Sequence, residues 1–355
     1  MTRSFAFAIA IGITFVVFAV VATEATRGGA VSPLPDRRED ELRVHFYNVG
    51  AGTCTVVECP GPNARPIIVD CGRLAGGRGK HAISDQELKT RIRDTLGDRS
   101  PEVVLSHSDL DHVSLIPHVL GEVQISAVWQ GDDPEDYPKN LRSWVLRQQE
   151  QGAAIHGRFA KDWHNDGQPI ANGLDCGTAS SYVLTVNSGE PATNSSDDDN
   201  ANSLVLMLKY GSFGVIFTGD ATGVTESAAI ANFGDGLRAT VLTASHHGAS
   251  SEGSNSAAWA AATRPAVVVY SAGTLYGHPT CATRQTLSDS LAETPKHHVI
   301  CGKTADGEND KFSTRAEYMT RVNGAITITT DGEAPLRLDC EVGPGCAAIE
   351  IPFDK

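Results

Sequence analysis

Between Ser106 and His112 the chain reads Ser-His-Ser-Asp-Leu-Asp-His, which sets two imidazoles (His107, His112) and two carboxylates (Asp109, Asp111) close together. Groups so strongly hydrated are costly to bury together unless a cation compensates them. A divalent metal does so directly. Neutral imidazole nitrogen and carboxylate oxygen both suit zinc, and the same donors accept manganese or iron. Two further fragments carry the same chemistry: Asp220 within Thr218-Gly219-Asp220, and His246-His247 ahead of Gly248. Taken singly, the first segment also reads as a solvated polar turn and Asp220 as a loop cap, while the histidine pair is ambiguous. Their order and their place at the ends of apolar runs argue for one site.

Four such runs each end in a polar group that can bind or orient. Ile67-Ile68-Val69 meets Asp70, and Val103-Val104-Leu105-Ser106 meets His107. Val215-Ile216-Phe217-Thr218-Gly219 meets Asp220, and Val241-Leu242-Thr243-Ala244-Ser245 meets His246. Strands of one core deliver their ends to a shared rim, so groups far apart in sequence can converge there. The patterning supplies that core, with strands at 44–48, 53–58, 65–69 and 101–106 in the first half. The second half repeats them at 203–208, 213–217, 240–244 and 266–270, and 324–330 reads as the last strand. Helices are expected at 82–96, 136–151 and 225–232; in the second of these Leu141, Trp144, Val145 and Gln148 fall at helical spacing. A polar loop spans 185–202. This mixture predicts an α/β protein with sheets covered by helices.

In order along the chain, FYNVGAG (46–52), IVDCG (68–72), SHSDLDH (106–112), NSLVL (202–206), TGDA (218–221), HHGAS (246–250), YGHP (276–279) and GAITITTDG (324–332) resemble the motifs of the metallo-β-lactamase superfamily. They are similar in particular to the hydrolase domain of ComEC-type competence proteins and to bacterial phosphorylcholine esterases. The likeness covers residues 43–335. It implies a four-layer αββα sandwich with two divalent metal ions at the sheet edge, zinc before manganese or iron. One ion takes His107, Asp109 and Asp220, the other Asp111, His112, Asp220 and His246, with Asp220 bridging. Asp70 and Asn202 stand behind the ligands, Asp70 orienting one of them, while His247 and His278 contact the oxygen of the substrate. The chain departs from the family pattern at Ala51 and Thr53, which replace an amide and a carboxylate, and at Val113-Ser114, which replace paired glycines. The third-motif histidine of true β-lactamases is absent, with Asn202 and Ser203 in that region.

The compartment is read from both ends. Residues 1–25 carry Arg3 ahead of an uncharged apolar run and small residues near Ala25, the pattern of an export signal. An uncleaved N-terminal anchor is the rival reading. Residues 26–42 are Gly-, Pro- and charge-rich and read as a linker; 336–355 form a cysteine-containing tail. Eight cysteines without a Cys-x-x-Cys pair favour disulfides over a zinc ribbon, and Cys340 and Cys346 flank a Gly-Pro-Gly turn that can close a small loop. A secreted or periplasmic location follows as an expectation. The net charge of −14 argues against a general nucleic-acid coat protein but leaves room for a metal-lined cleft that handles a phosphate. His45, His81, His118, His156, His164, His297 and His298 lack partners at ligand spacing and read as surface or core residues.

Two cations a few ångströms apart acidify water and stabilise the oxygen charge that develops on phosphorus or on a carbonyl carbon. The first expectation is therefore a phosphodiesterase or nuclease acting on a phosphoester, either nucleic acid or a small phosphodiester, with Asp111, His247 and His278 at the reacting centre. A carbonyl ester or lactone hydrolase is the second. A weakly catalytic binding protein that keeps the fold is the third.

Overall fold

The computed structural model describes residues 37–353 apart from 78, 80–81, 171–173, 190–195, 305–306, 344–345 and 347. The expected export signal and the start of the linker lie outside the described residues, as does His81.

The first half runs β1 (Leu42–Phe46), β2 (Cys54–Glu58), β3 (Ile67–Cys71), α1 (Asp85–Leu96), β4 (Glu102–Leu105), α2 (Leu110–Val113), α3 (Ile116–Leu120), β5 (Ala127–Gln130), α4 (Lys139–Glu150) and β6 (Ala154–His156). Next come β7 (Ser180–Thr185), α5 (Ser196–Ala201), β8 (Val205–Tyr210), β9 (Phe213–Phe217), α6 (Gly223–Phe233), β10 (Val241–Thr243), α7 (Ala257–Thr263), β11 (Val267–Tyr270) and α8 (Cys281–Leu287). The chain closes with β12 (Glu293–Thr304), β13 (Gly307–Arg315), β14 (Glu317–Met319), α9 (Thr320–Asn323), β15 (Ile326–Thr330), β16 (Leu336–Cys340) and β17 (Ile349–Ile351).

Two mixed sheets result. The nine-stranded sheet has the order β17-β16-β15-β1-β2-β3-β4-β5-β6, and the six-stranded sheet β14-β11-β10-β9-β8-β7. Strands β3 to β6 run parallel to one another, and so do β9, β10, β11 and β14. Side-chain alternation sorts the layers. Val44, Phe46, Val69 and Val104 from one sheet share a core with Leu206, Val215, Phe217, Val241 and Val269 from the other. The opposite faces carry Ile68, Val103 and Leu105 against α1, α3 and α4, and Ile216, Leu242 and Val268 against the helices of the second half. Full burial stabilises by about 1.5–3 kcal/mol per large aliphatic side chain, so runs apolar on both faces are what a covered sheet requires. The architecture is an αβ/βα sandwich, as expected.

Element limits shift for local reasons. Helix α1 begins at Asp85 because the Ser84 side chain accepts the Glu87 N–H as its cap, and α4 begins only after Pro138. Its buried residues are Leu141, Trp144, Val145 and Gln148, those singled out by spacing. One reading needs correction: 324–330 is not the last strand, since β16 and β17 extend the same sheet beyond β15. Each has a short alternating pattern, Leu336/Leu338 and Ile349/Ile351, too brief to stand out in sequence.

Disulfides join Cys54 to Cys71, Cys59 to Cys176, Cys281 to Cys301 and Cys340 to Cys346. Only the last pairing was legible in advance.

Candidate metal centre

The parallel strands β3, β4, β9 and β10 deliver Asp70, His107, Asp220 and the His246-His247 pair to one edge of the sandwich. Asp70 organises the first rim. Its Oδ1 accepts the Ser106 N–H at 2.7 Å, and its Oδ2 accepts the Ser106 hydroxyl at 2.7 Å and His112 Nδ1 at 2.8 Å. With its proton on Asp70, the Ser106 hydroxyl accepts from His107 Nδ1 at 2.9 Å. Gly72 lets the end of β3 lie against α2, for a side chain there would strike the His112 and Val113 backbone.

The second rim is built by the main chain. His246 (φ 48°, ψ 51°) and His247 (φ 55°, ψ 14°) are consecutive left-handed residues, each costing about 1–2 kcal/mol. Asn255 holds the turn: Oδ1 accepts the Ser245 N–H at 3.1 Å, and Nδ2 donates to the Ser245 and Ala249 carbonyls, both at 2.8 Å. Buried Glu226 accepts from the Ser245 hydroxyl at 2.9 Å and from the Asn255 N–H at 2.6 Å. His247 Nδ1 donates to the Ser271 carbonyl at 2.6 Å.

Every Nδ1 of His107, His112 and His247 is thus committed as a donor, which leaves each Nε2 aimed into the centre to take a cation or, without one, a proton. His112 Nε2 lies 3.2 Å from His247 Nε2 and 3.0 Å from Asp220 Oδ1. His247 Nε2 lies 3.4 Å from Asp111 Oδ2 and 3.6 Å from Asp220 Oδ1. Asp220 Oδ2 faces His246 Nε2 at 3.6 Å and His107 Nε2 at 4.0 Å, and His107 Nε2 is 3.7 Å from Asp109 Oδ2. Among the described residues, buried His107 Nε2 and Asp220 Oδ1 have no hydrogen-bond partner. Lone pairs and carboxylate oxygens crowded at 3–4 Å repel unless protons or cations lie between them. Two groups here can hold a metal ion, His107/His112/Asp220 and Asp111/His112/His247. Donor types and orphaned atoms therefore fit divalent metal ions.

Electrostatics agree. Burial opposes charging His112, yet Asp220 and Asp70 outweigh it and hold its pKa well above the ordinary imidazole value. Burial would raise Asp220, but His112, His247 and His246 hold it well below the carboxylate range. His278 is pushed down to about 4 by burial and by His247 and His246, so it is neutral at physiological pH.

Sequence reasoning placed His246 with Asp111 and His112 and put His247 over the substrate. That assignment was open between the two, and in the structure His247 Nε2 lies with Asp111 and His112, whereas His246 faces the other oxygen of Asp220. Strand phase could not foresee two left-handed residues in succession. His278 sits beside His246 with ring centroids 5.9 Å apart. Asn202 hydrogen-bonds Asp132. Asp132, which sequence reasoning missed, accepts the Ser108 N–H at 2.6 Å and steadies the metal-motif turn. Its signal was present, since the Ala127–Gln130 strand also ends in an acid after Gly131. Glu226 and Asn255 carried no comparable signal.

No family model and no curated protein sequence matches the chain. Among solved structures, the chain is similar to a mutant of the CmlA beta-hydroxylase at 12% identity and TM-score 0.41, covering 69% of this chain and 47% of that one. It is similar to CmlA, a diiron beta-hydroxylase from Streptomyces venezuelae, at 13% identity and TM-score 0.40, covering 68% and 46%. It is also similar to a long form RNase Z from yeast at 14% identity and TM-score 0.36, covering 68% and 38%. The chain spans less than half the length of each of these proteins. At such scores the likeness is distant, and the residues of the centre themselves carry the functional argument: a buried cluster able to hold two divalent metal ions, of the kind metal-dependent hydrolases use.

Proposed function

We propose that this protein is an exported metal-dependent phosphodiesterase or nuclease. The observation that carries the reading is the set of three Nε2 lone pairs, each fixed by a committed Nδ1, converging with Asp111 around Asp220. One imidazole nitrogen serves one cation, so His112 cannot be shared; Asp220, with two oxygens, can. His107, Asp109 and His246 would then gather at Asp220 Oδ2, and Asp111, His112 and His247 at Oδ1. His246 thereby stands in for the histidine missing from the third motif. Two divalent ions so held supply an acidified water and neutralise charge on a phosphoryl group.

The chain's own residues do the rest. Asp70 holds His112 in one tautomer, and through Ser106 it does the same for His107. Neutral His278, which lines a cleft with Asp111 and His247, would hydrogen-bond a substrate oxygen. Four disulfides among the described residues support an oxidising compartment, hence export.

The test is turnover by purified protein of measured metal content, offered bis-p-nitrophenyl phosphate, single-stranded DNA, phosphorylcholine esters and nitrocefin. Phosphodiester cleavage that disappears in Asp111→Ala is the expected result. Activity confined to nitrocefin makes it a carbonyl hydrolase. Full metal occupancy without turnover on any substrate makes it a binding protein.

A further inference from the structure

Three of the seven large hydrophobic side chains left exposed among the described residues adjoin the metal centre. Leu110 stands between Asp109 and Asp111, while Leu275 and Tyr276 line the cleft that also holds Asp111, His247 and His278. Tyr276 is 63% exposed. Ala51 and Ala272 continue this apolar wall, and Ala51 stands where the family pattern has an amide. Ring centroids step outward from the ligands, His246 to His278 at 5.9 Å and His278 to Tyr276 at 5.9 Å. Tyr276 is therefore one ring beyond the histidine that faces the substrate.

The loop that carries Tyr276 is braced. A side chain at Gly273 would strike the Ala51 backbone, the Lys303 ammonium donates to the Leu275 carbonyl, and the Gly302 N–H donates to the Pro279 carbonyl at 2.9 Å. The Cys281–Cys301 disulfide fastens the start of α8 to β12 just beyond. A ring presented on a fixed loop spares the ordering entropy that a mobile one would lose on binding. Every nucleobase has a flat π face, and stacking on an aromatic side chain tolerates any base. A quaternary ammonium calls for a cage of several electron-rich rings, whereas Tyr276 offers a single face with Leu275 as its neighbour.

We propose that Tyr276 is a stacking platform for the nucleobase next to the scissile phosphate, so that the substrate is a nucleoside phosphodiester with an unpaired base. The proposal rests on the phosphoester reading above, and a binding measurement separates the two. Zinc-loaded protein is titrated calorimetrically with thymidine 5′-monophosphate, 2-deoxyribose 5-phosphate and phosphorylcholine. The nucleotide is expected to bind about 10-fold more tightly than the sugar phosphate, the scale of one base–aromatic stack. Tyr276→Ala should reduce that advantage to less than about 2-fold with zinc content unchanged, and Tyr276→Phe, which keeps the ring, should retain it. The exposure of the side chain lets both variants fold. Equal affinities in the wild-type protein, or an advantage that survives Tyr276→Ala, overturn the proposal. So does loss of the advantage in Tyr276→Phe, which would mean a hydroxyl contact, or a Tyr276-dependent preference for phosphorylcholine over the nucleotide. Base preference without phosphodiester turnover sinks the phosphodiesterase reading and leaves a nucleotide-binding platform; turnover without base preference sinks this proposal alone.

Discussion

The two rims of the centre solve one problem by different means. On the first sheet, Asp70 grips Ser106 and His112, so a carboxylate sets both tautomers and adds negative charge behind the ligands. On the second, a neutral carbonyl at Ser271 sets the His247 tautomer, and a strained turn braced by Asn255 and Glu226 sets its direction. A charged partner raises ligand basicity as well as fixing geometry, whereas a carbonyl and a braced turn fix geometry. The first rim is thus built for affinity and the second for placement.

Asp220 belongs to both rims, so its loss should have the largest effect. Asp220→Ala is expected to lower metal affinity by more than about 100-fold at both positions, beyond what an outer partner contributes. Elemental analysis after dialysis reads this, and one retained equivalent would mean that Asp220 does not bridge. Asp70→Asn tests the charged partner. It should weaken metal binding by about 10–100-fold and bring the His112 pKa down, as followed by ring-proton titration of the metal-free protein. Unchanged affinity would erase the contrast between the rims. His246→Ala and His247→Ala should each remove about one metal equivalent, from different positions, in stepwise zinc titrations. Loss of the same equivalent in both variants would break the two-oxygen arrangement at Asp220.

Glu226→Gln acts on placement. It should destabilise the protein by about 1–3 kcal/mol, the scale of a buried charge-assisted hydrogen-bond network, and leave the Asp70 side untouched. A thermal melt with ring titration of His112 reads both parts.

The smallest effect concerns pH. In the metal-free protein, protonated His112 stabilises the fold fully below the ordinary imidazole value of 6.5, and that contribution is lost as pH rises through its raised pKa. Asp220 works oppositely, contributing above 3.8 and losing that contribution as pH falls through its lowered pKa. A bound cation takes the proton's place. The gap between metal-loaded and metal-free melting temperatures should therefore widen as pH rises from neutral. A constant gap would mean that the proton on His112 does not stand in for the cation.

What the amino-acid order determined is chemical and local. Ligand types, their place at the ends of apolar strands, the two-sided apolar runs that demand covered sheets, and the Cys340–Cys346 loop all depend on neighbours in the chain. Tertiary structure decided the rest, because it depends on groups brought in from far away. Whether His246 or His247 faces Asp111 hangs on two left-handed residues braced by Glu226 and Asn255. The role of Asp132 hangs on a turn from another strand, and the pairing of Cys59 with Cys176 on the meeting of segments 117 residues apart. Strand patterning specifies which face a side chain takes, whereas aim at a shared centre is set by hydrogen bonds between loops that sequence spacing does not encode.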